Sequence, residues 1–385
     1  MSFVNQLVER LRPLRVAVVH DWFFSRRGGE RVLEQILGFA PHADLFLLFG
    51  KPEVLRTAAS HRTQFSFLAS LPGIERYYKY LLPYLPMAIE SLDLTGYDVI
   101  LSSSHCVAKG VIPNPLAVHV SYIHSPMRYV WDMEHEYFPH PPSFWRPWEI
   151  LRRRRFYRLR QWDVTATNRV HRLLANSGFV ARRCQLYYGR TAQVVHPPVE
   201  LDRFTKISPH PQSPPAALLF GAWVPYKGMR STLDRLLAAN IRVIAAGQGA
   251  DLDAAARQHA NNPLVEFVRQ PTDDQVQDLY ARARMLVFPG VEDFGIVPLE
   301  AQAAGLWVVA PNRGGTVETV RDGVTGTLFP AGDMEALVAA TQAALARPVS
   351  AVDRDAARAQ AERFSLAHFC ENYARNVVEE LDLHG

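Results

Sequence analysis

The sequence predicts two doubly wound α/β domains, each a parallel sheet with helices on both faces. Three observations carry that expectation. The chain has 385 residues, enough for two or three domains at roughly 150 residues each. Short apolar runs alternate with helix-period segments across loops that lack hairpin dipeptides, which is the pattern of parallel βα units. The alternation breaks once, where Pro197, Pro198, Pro209, Pro211, Pro214 and Pro215 crowd together and resist helix formation. The expected division is a first domain over 1–200, a proline-rich linker over 201–215, a second domain over 216–365, and a final helix over 366–385. An apolar content of 48% and a charged content of 21% exclude a disordered or fibrous chain. A formal charge of +4 is too small to imply a nucleic-acid coat.

Arg15–Val19 reads as a buried strand, followed by a polar loop holding Gly28-Gly29 and a helix through Val32, Leu33, Ile36 and Leu37. Asp98–Leu101 and Ala117–Ile123 read as further strands of the first domain. In the second domain the strands are Ala217–Phe220, Ile241–Ile244, Val265–Val268, Met285–Phe288 and Trp307–Ala310. Helices are expected from about Met229, from about Asp251, after Pro271, over Ile296–Ala304 and over Thr316–Val320. Thr272 and Gln275 have capping-box spacing at the third of these. Ligands of such sheets bind beyond the carboxyl ends of the strands, so function is expected in the loops after Phe220, Ile244, Phe288 and Ala310.

The loop after Phe288 is the most informative. Glu292 lies in the loop and Glu300 one turn into the helix that follows. The backbone amides of Phe294, Gly295 and Ile296 are expected as unpaired donors able to hold a phosphate, and Pro298 removes a donor that a first turn can spare. A carboxylate in the helix suits a ribose diol, and one in the loop suits a second sugar, so the pattern fits a nucleotide-sugar. A single glutamate near a helix start usually only complements the helix dipole. Gly28-Gly29 does not complete a GxGxxG fingerprint, so an NAD site is not expected. Gly247-x-Gly249 reads as a tight turn. Asp251-x-Asp253 has the spacing of a metal-binding carboxylate pair but stands where a helix cap is expected, so no metal site is expected.

Glu292 and Glu300, with Phe294-Gly295 and the run Glu300–Gly305, resemble the EX7E signature of glycosyltransferase family 4. Val224–Gly228 resembles that family's lysine loop, Val265–Val268 its nucleobase-side strand, and Arg313–Thr316 with Glu318 and Asp322–Gly326 its closing block. Ile123–Asp132 and Arg26–Glu30 resemble the first domain of one subgroup, the bacterial mannosyltransferase-like enzymes of surface-polysaccharide assembly. The resemblance implies a GT-B fold, two facing Rossmann-like domains with an interdomain cleft, in which the first domain binds acceptor and the second binds donor. It implies that Glu300 holds the ribose, Glu292 orients the donor sugar and Lys227 contacts the diphosphate. Gly28 and Gly29 would close over that diphosphate, and His124 would face the donor sugar as a catalytic residue, with Arg128, Trp131 and Asp132 shaping the sugar or acceptor pocket. The implied reaction is retaining transfer of a hexose, mannose from GDP-mannose, onto a lipid-linked or growing saccharide, with no metal and no cofactor. One departure is Ala222, where the family commonly has an arginine; Arg230, Arg26 or Arg27 would then supply the charge. A sugar-nucleotide epimerase of the same architecture and a non-catalytic nucleotide-sugar-binding subunit are the alternatives.

The segment Trp145–Arg160 holds seven arginines interleaved with aromatic and aliphatic residues. Such a helix either lies on an anionic membrane through Arg152, Arg153, Arg154 and Arg155 or presents an ordinary solvated face. Cys106, Cys184 and Cys370 are scattered and odd in number, which fits a reducing compartment. No signal peptide or membrane-spanning run is read from the sequence, so a cytoplasmic protein, peripheral at the inner face of the plasma membrane, is expected.

Overall fold

The structure, a computed structural model, describes every residue except 1, 27, 139–144, 209, 211–213, 349 and 385. The chain forms two compact units, one of residues 1–198 with 367–385 and the other of 199–366.

The first unit is built on seven parallel strands: β1 Val16–Phe23, β2 Asp44–Gly50, β3 Thr63–Phe65, β4 Val99–Ser104, β5 Val118–Ile123, β6 Arg172–Ala175 and β7 Gln193–Val194. Their order across the sheet is β3-β2-β1-β4-β5-β6-β7. Alternate residues of β1 feed opposite cores, Val16 and Val18 on one face and Ala17 and Val19 on the other. Burial on both faces is why such strands read as continuous apolar runs. The helix Leu366–His384 places Phe369, Tyr373 and Val377 in the same core as Leu7 and Leu11 of the helix Phe3–Leu11.

The second unit has six parallel strands: β8 Ala217–Ala222, β9 Val243–Gln248, β10 Val265–Arg269, β11 Met285–Val287, β12 Trp307–Pro311 and β13 Gly326–Phe329. Their order is β10-β9-β8-β11-β12-β13. Both sheets thus share one doubly wound order, in which the strand sequence reverses between β1 and β4 and again between β8 and β11. That reversal opens a crevice at the carboxyl ends of the two strands. The capping box of Thr272 and Gln275 opens the helix Asp273–Arg282.

Two local expectations differ from what is observed. Within 201–215, Asp202–Thr205 is helical and Phe204 is buried in the core of the second unit, because an aromatic side chain beside the prolines has apolar surface to bury. Pro209 and Pro211 lie outside the described residues. Asp251 and Asp253 do not cap their helix: Gly249 holds the N-cap position with φ 134°, and both aspartates sit in the first turn, with Asp253 paired to Arg269 at 3.1 Å.

Candidate active site

In the second unit the loops at the reversal point are pressed together by glycines. A Cβ on Gly247 would lie 1.9 Å from the Gly221 carbonyl oxygen, and one on Gly249 2.3 Å from that of Trp223. Only hydrogen fits there, so the ends of β8 and β9 lie backbone to backbone. On the other side, a Cβ on Gly314 would lie 2.4 Å from the Glu292 carbonyl oxygen, and the Gly315 amide donates to that oxygen at 2.9 Å. The loop carrying Glu292 is therefore held by the loop after β12.

Across the reversal point, Lys227 Nζ meets Glu292 Oε1 at 2.5 Å, with the two side chains 16% and 22% exposed. Lys227 ends the short turn Pro225–Lys227, directly before Gly228 and the helix Met229–Ala238. Glu300 lies in the helix Ile296–Ala303, whose N-cap Gly295 has φ 90°. Glu300 is buried and accepts a hydrogen bond from the Tyr280 hydroxyl at 3.4 Å. Burial first, and then the Glu300 carboxylate, push the Tyr280 phenol well above its ordinary value, so it stays a donor. The Tyr280 ring stands edge-on to Phe204 at 5.3 Å and to Phe220 at 5.9 Å. Of the expected donor residues, Lys227, Glu292, Gly295, Ile296 and Glu300 gather around this one crevice. The Phe294 side chain is buried against Phe364 at 5.7 Å, because an apolar ring at a helix start packs inward; the expectation placed on Phe294 concerns its backbone amide. Ala222 ends β8, and Arg230 is exposed and bonded to Gln258 at 2.7 Å.

In the first unit, Gly28 and Gly29 open the helix Gly28–Phe39 instead of forming a loop before it. Their lack of side chains leaves the helix start bare. A Cβ on Gly29 would lie 3.6 Å from His124 Cε1, so the two expected features are neighbours. The Ser103 hydroxyl joins His124 Nε2 at 2.8 Å and His20 Nδ1 at 3.1 Å. Burial first, and then His105, push both His20 and His124 down to about 3, so His124 is a neutral imidazole.

Beside this chain, Asp21 is fully buried. Its carboxylate accepts the backbone N–H groups of His105, Cys106, Val107 and Ala108 at 2.6–2.9 Å. Burial alone would raise its pKa, but His105, His20 and the backbone donors outweigh it and hold the carboxyl below the usual range. Each such bond to a charged group contributes about 1.5–3 kcal/mol, which offsets the desolvation. The same loop is held from its far end by buried Lys109, paired with Asp163 and donating to the Cys106 carbonyl at 3.1 Å.

Several other residues of the first domain have partners within it. Trp131 donates to Asp163 at 2.8 Å and stacks on Tyr187 at 4.7 Å. Asp132 pairs with Arg183 at 2.6 Å, Arg128 donates to the Ser125 hydroxyl at 3.3 Å, and Arg26 pairs with Glu34 at 3.0 Å. Arg27 lies outside the described residues. The arginine-rich helix runs over Pro147–Thr167. Arg152 there meets Glu149 at 2.5 Å and Glu134 at 3.4 Å, and Arg153 meets Glu134 at 3.8 Å; the acids Glu134 and Glu149 turn both inward. Arg154, Arg155 and Arg158 are exposed. Asp21, His105 and Tyr280 escaped the sequence reading; the polar pair His20-Asp21 ending an apolar strand and the run Ser102–His105 after another were the available signals.

Among the described residues, no cluster of three His, Cys, Asp or Glu side chains is placed to hold a metal ion, and no helix is long and apolar enough to cross a membrane. Residues 202–363 match the family of glycosyl transferases group 1. A D-inositol 3-phosphate glycosyltransferase of Geodermatophilus obscurus is 35% identical over 210 residues, 46% of each chain. The chain thus spans less than half the length of the curated relatives it matches. Among solved structures, sucrose-phosphate synthase from Thermosynechococcus elongatus superposes with a TM-score of 0.69 at 17% identity, over 96% of this chain and all of that one. Anabaena HepE in complex with UDP gives 0.68 at 17% identity, over 95% and 100%. The chain therefore has the two-domain α/β fold of the GT-B glycosyltransferase structures, and its second unit is similar over nearly its whole length to glycosyl transferases group 1.

Proposed function

We propose that the chain is a hexosyltransferase using a nucleotide-sugar donor held by the second unit. The observation that carries this is the Lys227–Glu292 ion pair across the β8–β11 reversal point, with Glu300 one turn into the adjoining helix. Without donor, the two charges satisfy each other. A diphosphate entering at the helix start draws Lys227 onto its oxygens and releases Glu292 to the sugar hydroxyls, while Glu300, held by Tyr280, accepts from the ribose diol. Lys227 and the helix-start amides then stabilise the charge that grows on the departing nucleoside diphosphate. In the first unit, His124 offers an uncharged imidazole beside the helix start at Gly29. The family resemblance adds the finer reading: mannose from GDP-mannose, retention of configuration, a lipid-linked or growing saccharide acceptor and no metal.

The experiment is a thermal-shift screen of GDP-, UDP- and ADP-sugars in EDTA, followed by transfer assays of Lys227→Ala. A GDP-mannose shift that survives EDTA, with both donor binding and turnover weakened in the variant, supports the reading. Donor turnover without any acceptor sugar would favour an epimerase. Donor binding with neither transfer nor hydrolysis would favour a binding subunit, the reading that Ala222 supports.

Residence at an anionic membrane is supported by the exposed face of the helix Pro147–Thr167. Trp148, Ile150, Leu151 and Tyr157 are exposed there beside Arg154, Arg155 and Arg158, and Trp145 just before it is 90% exposed. Aromatic and cationic side chains together suit a headgroup layer. Sedimentation with anionic liposomes that falls as salt rises, and is lost on replacing those three arginines with Gln, is the expected result.

A further inference from the structure

We propose that Trp22 and His105, in the first unit, form a subsite that binds a saccharide hydroxyl and the apolar face of its ring. The subsite rests on the transferase reading above and specifies where that unit takes its acceptor. Every residue from Leu101 to Gly110 is buried except His105, whose side chain is 34% exposed. Its Nδ1 lies 3.2 Å from Asp21 Oδ2. A carboxylate only accepts, so beside Asp21 the neutral ring keeps its proton on Nδ1, which leaves the Nε2 lone pair for a partner. Asp21 cannot swing away, because four backbone N–H groups hold it.

The ring beside His105 is equally fixed. Trp22 stands edge-on to His105 with centroids 4.5 Å apart, stacks on Phe49 at 5.5 Å and packs against Tyr78 at 5.4 Å. Phe24 adds to the cluster, 6.0 Å from Phe49 and 5.8 Å from Tyr78. Phe49 is buried while Trp22, Phe24 and Tyr78 remain half-exposed. A flat aromatic surface beside one oriented acceptor atom suits a sugar, which offers C–H groups on one face and hydroxyl donors at its edge. Both residues lie at the carboxyl ends of β1 and β4, the reversal point of the first sheet, where such folds bind ligands.

The test has two arms, each using the full chain and a panel of octyl glycosides (α-mannoside, β-glucoside and β-galactoside) as acceptor probes. In the first, ring-nitrogen NMR of histidine-labelled protein, assigned with His105→Gln, should show the Nδ1–H tautomer at His105 and a shift of its Nε2 signal on glycoside addition. This arm needs no turnover, so it stands even if no nucleotide-sugar proves to be a donor. In the second, His105→Ala and Trp22→Phe should each raise KM for the glycoside acceptor, by about tenfold or more for His105→Ala. Donor Kd should stay within about twofold, since that site is assigned to the other unit. An Nε2–H tautomer, a His105 signal unmoved by every glycoside, or an unchanged acceptor KM in His105→Ala overturns the proposal.

Discussion

The two units share one strand order and put their polar residues at the same topological place, yet they treat charge in opposite ways. At the β1–β4 reversal, the Asp21 carboxylate is sealed from water and consumed by four backbone donors, and His20 and His124 are kept neutral. At the β8–β11 reversal, Lys227 and Glu292 are partly exposed and pair with each other. The first arrangement makes a rigid frame whose charges are spent inside the protein. The second makes a pair of charges that a charged ligand can separate. A shared fold therefore says where a site lies, and the burial of its charges says whether a charged ligand can draw on them.

Acidification should expose this contrast most strongly. His20, His119 and His124, all in the first unit, titrate at about 3 when folded, against about 6.5 unfolded. The folded form holds fewer protons, so their stabilisation is complete above pH 6.5 and is lost as pH falls toward 3. Each contributes about 1.4 kcal/mol per pH unit over that window. The lowered Asp21 carboxyl acts in the same direction below about pH 4. The second unit contains only His210 and His259, neither of them buried. Calorimetry from pH 7.5 to 5 should therefore show the transition of the first unit moving down while that of the second holds. Parallel movement of both would erase the contrast.

Asp21→Asn comes next. An amide cannot replace a carboxylate that accepts four N–H groups, and its own NH2 would face them, so the first unit should lose about 3–5 kcal/mol. The calorimetric transition that shifts identifies the unit. A change under 1 kcal/mol would show that the four donors find water instead.

Glu300→Ala should leave both transitions close to wild type and weaken nucleotide binding by about 1.5–3 kcal/mol, read by titration calorimetry. Unchanged nucleotide affinity would remove Glu300 from the ribose. The smallest effect is expected of Tyr280→Phe, which removes one 3.4 Å hydrogen bond to Glu300 and keeps the ring between Phe204 and Phe220. Donor affinity should fall by about 0.5–1.5 kcal/mol, with little change in melting temperature. A loss as large as that of Glu300→Ala would mean that the hydroxyl itself touches the ligand.

Much of the second unit was determined by the sequence alone. Its strands β8 to β12, the Thr272 capping box and the helix carrying Glu300 follow from local period and end signals, which act between residues a few positions apart. The placement of Glu292 before that helix and Glu300 within it is local for the same reason. The start of the helix at Gly28, the inward turn of Phe294 and the pairing of Arg152 and Arg153 with Glu134 depended on neighbours that local patterns do not name. Tertiary structure alone decided that Lys227 meets Glu292, that Tyr280 reaches Glu300, and that Asp21 finds its four donors 84 to 87 residues further along the chain. Hydrophobic period reports which face of an element is buried, but the strand order decides which loops become neighbours. That order emerges only when both sheets pack as wholes.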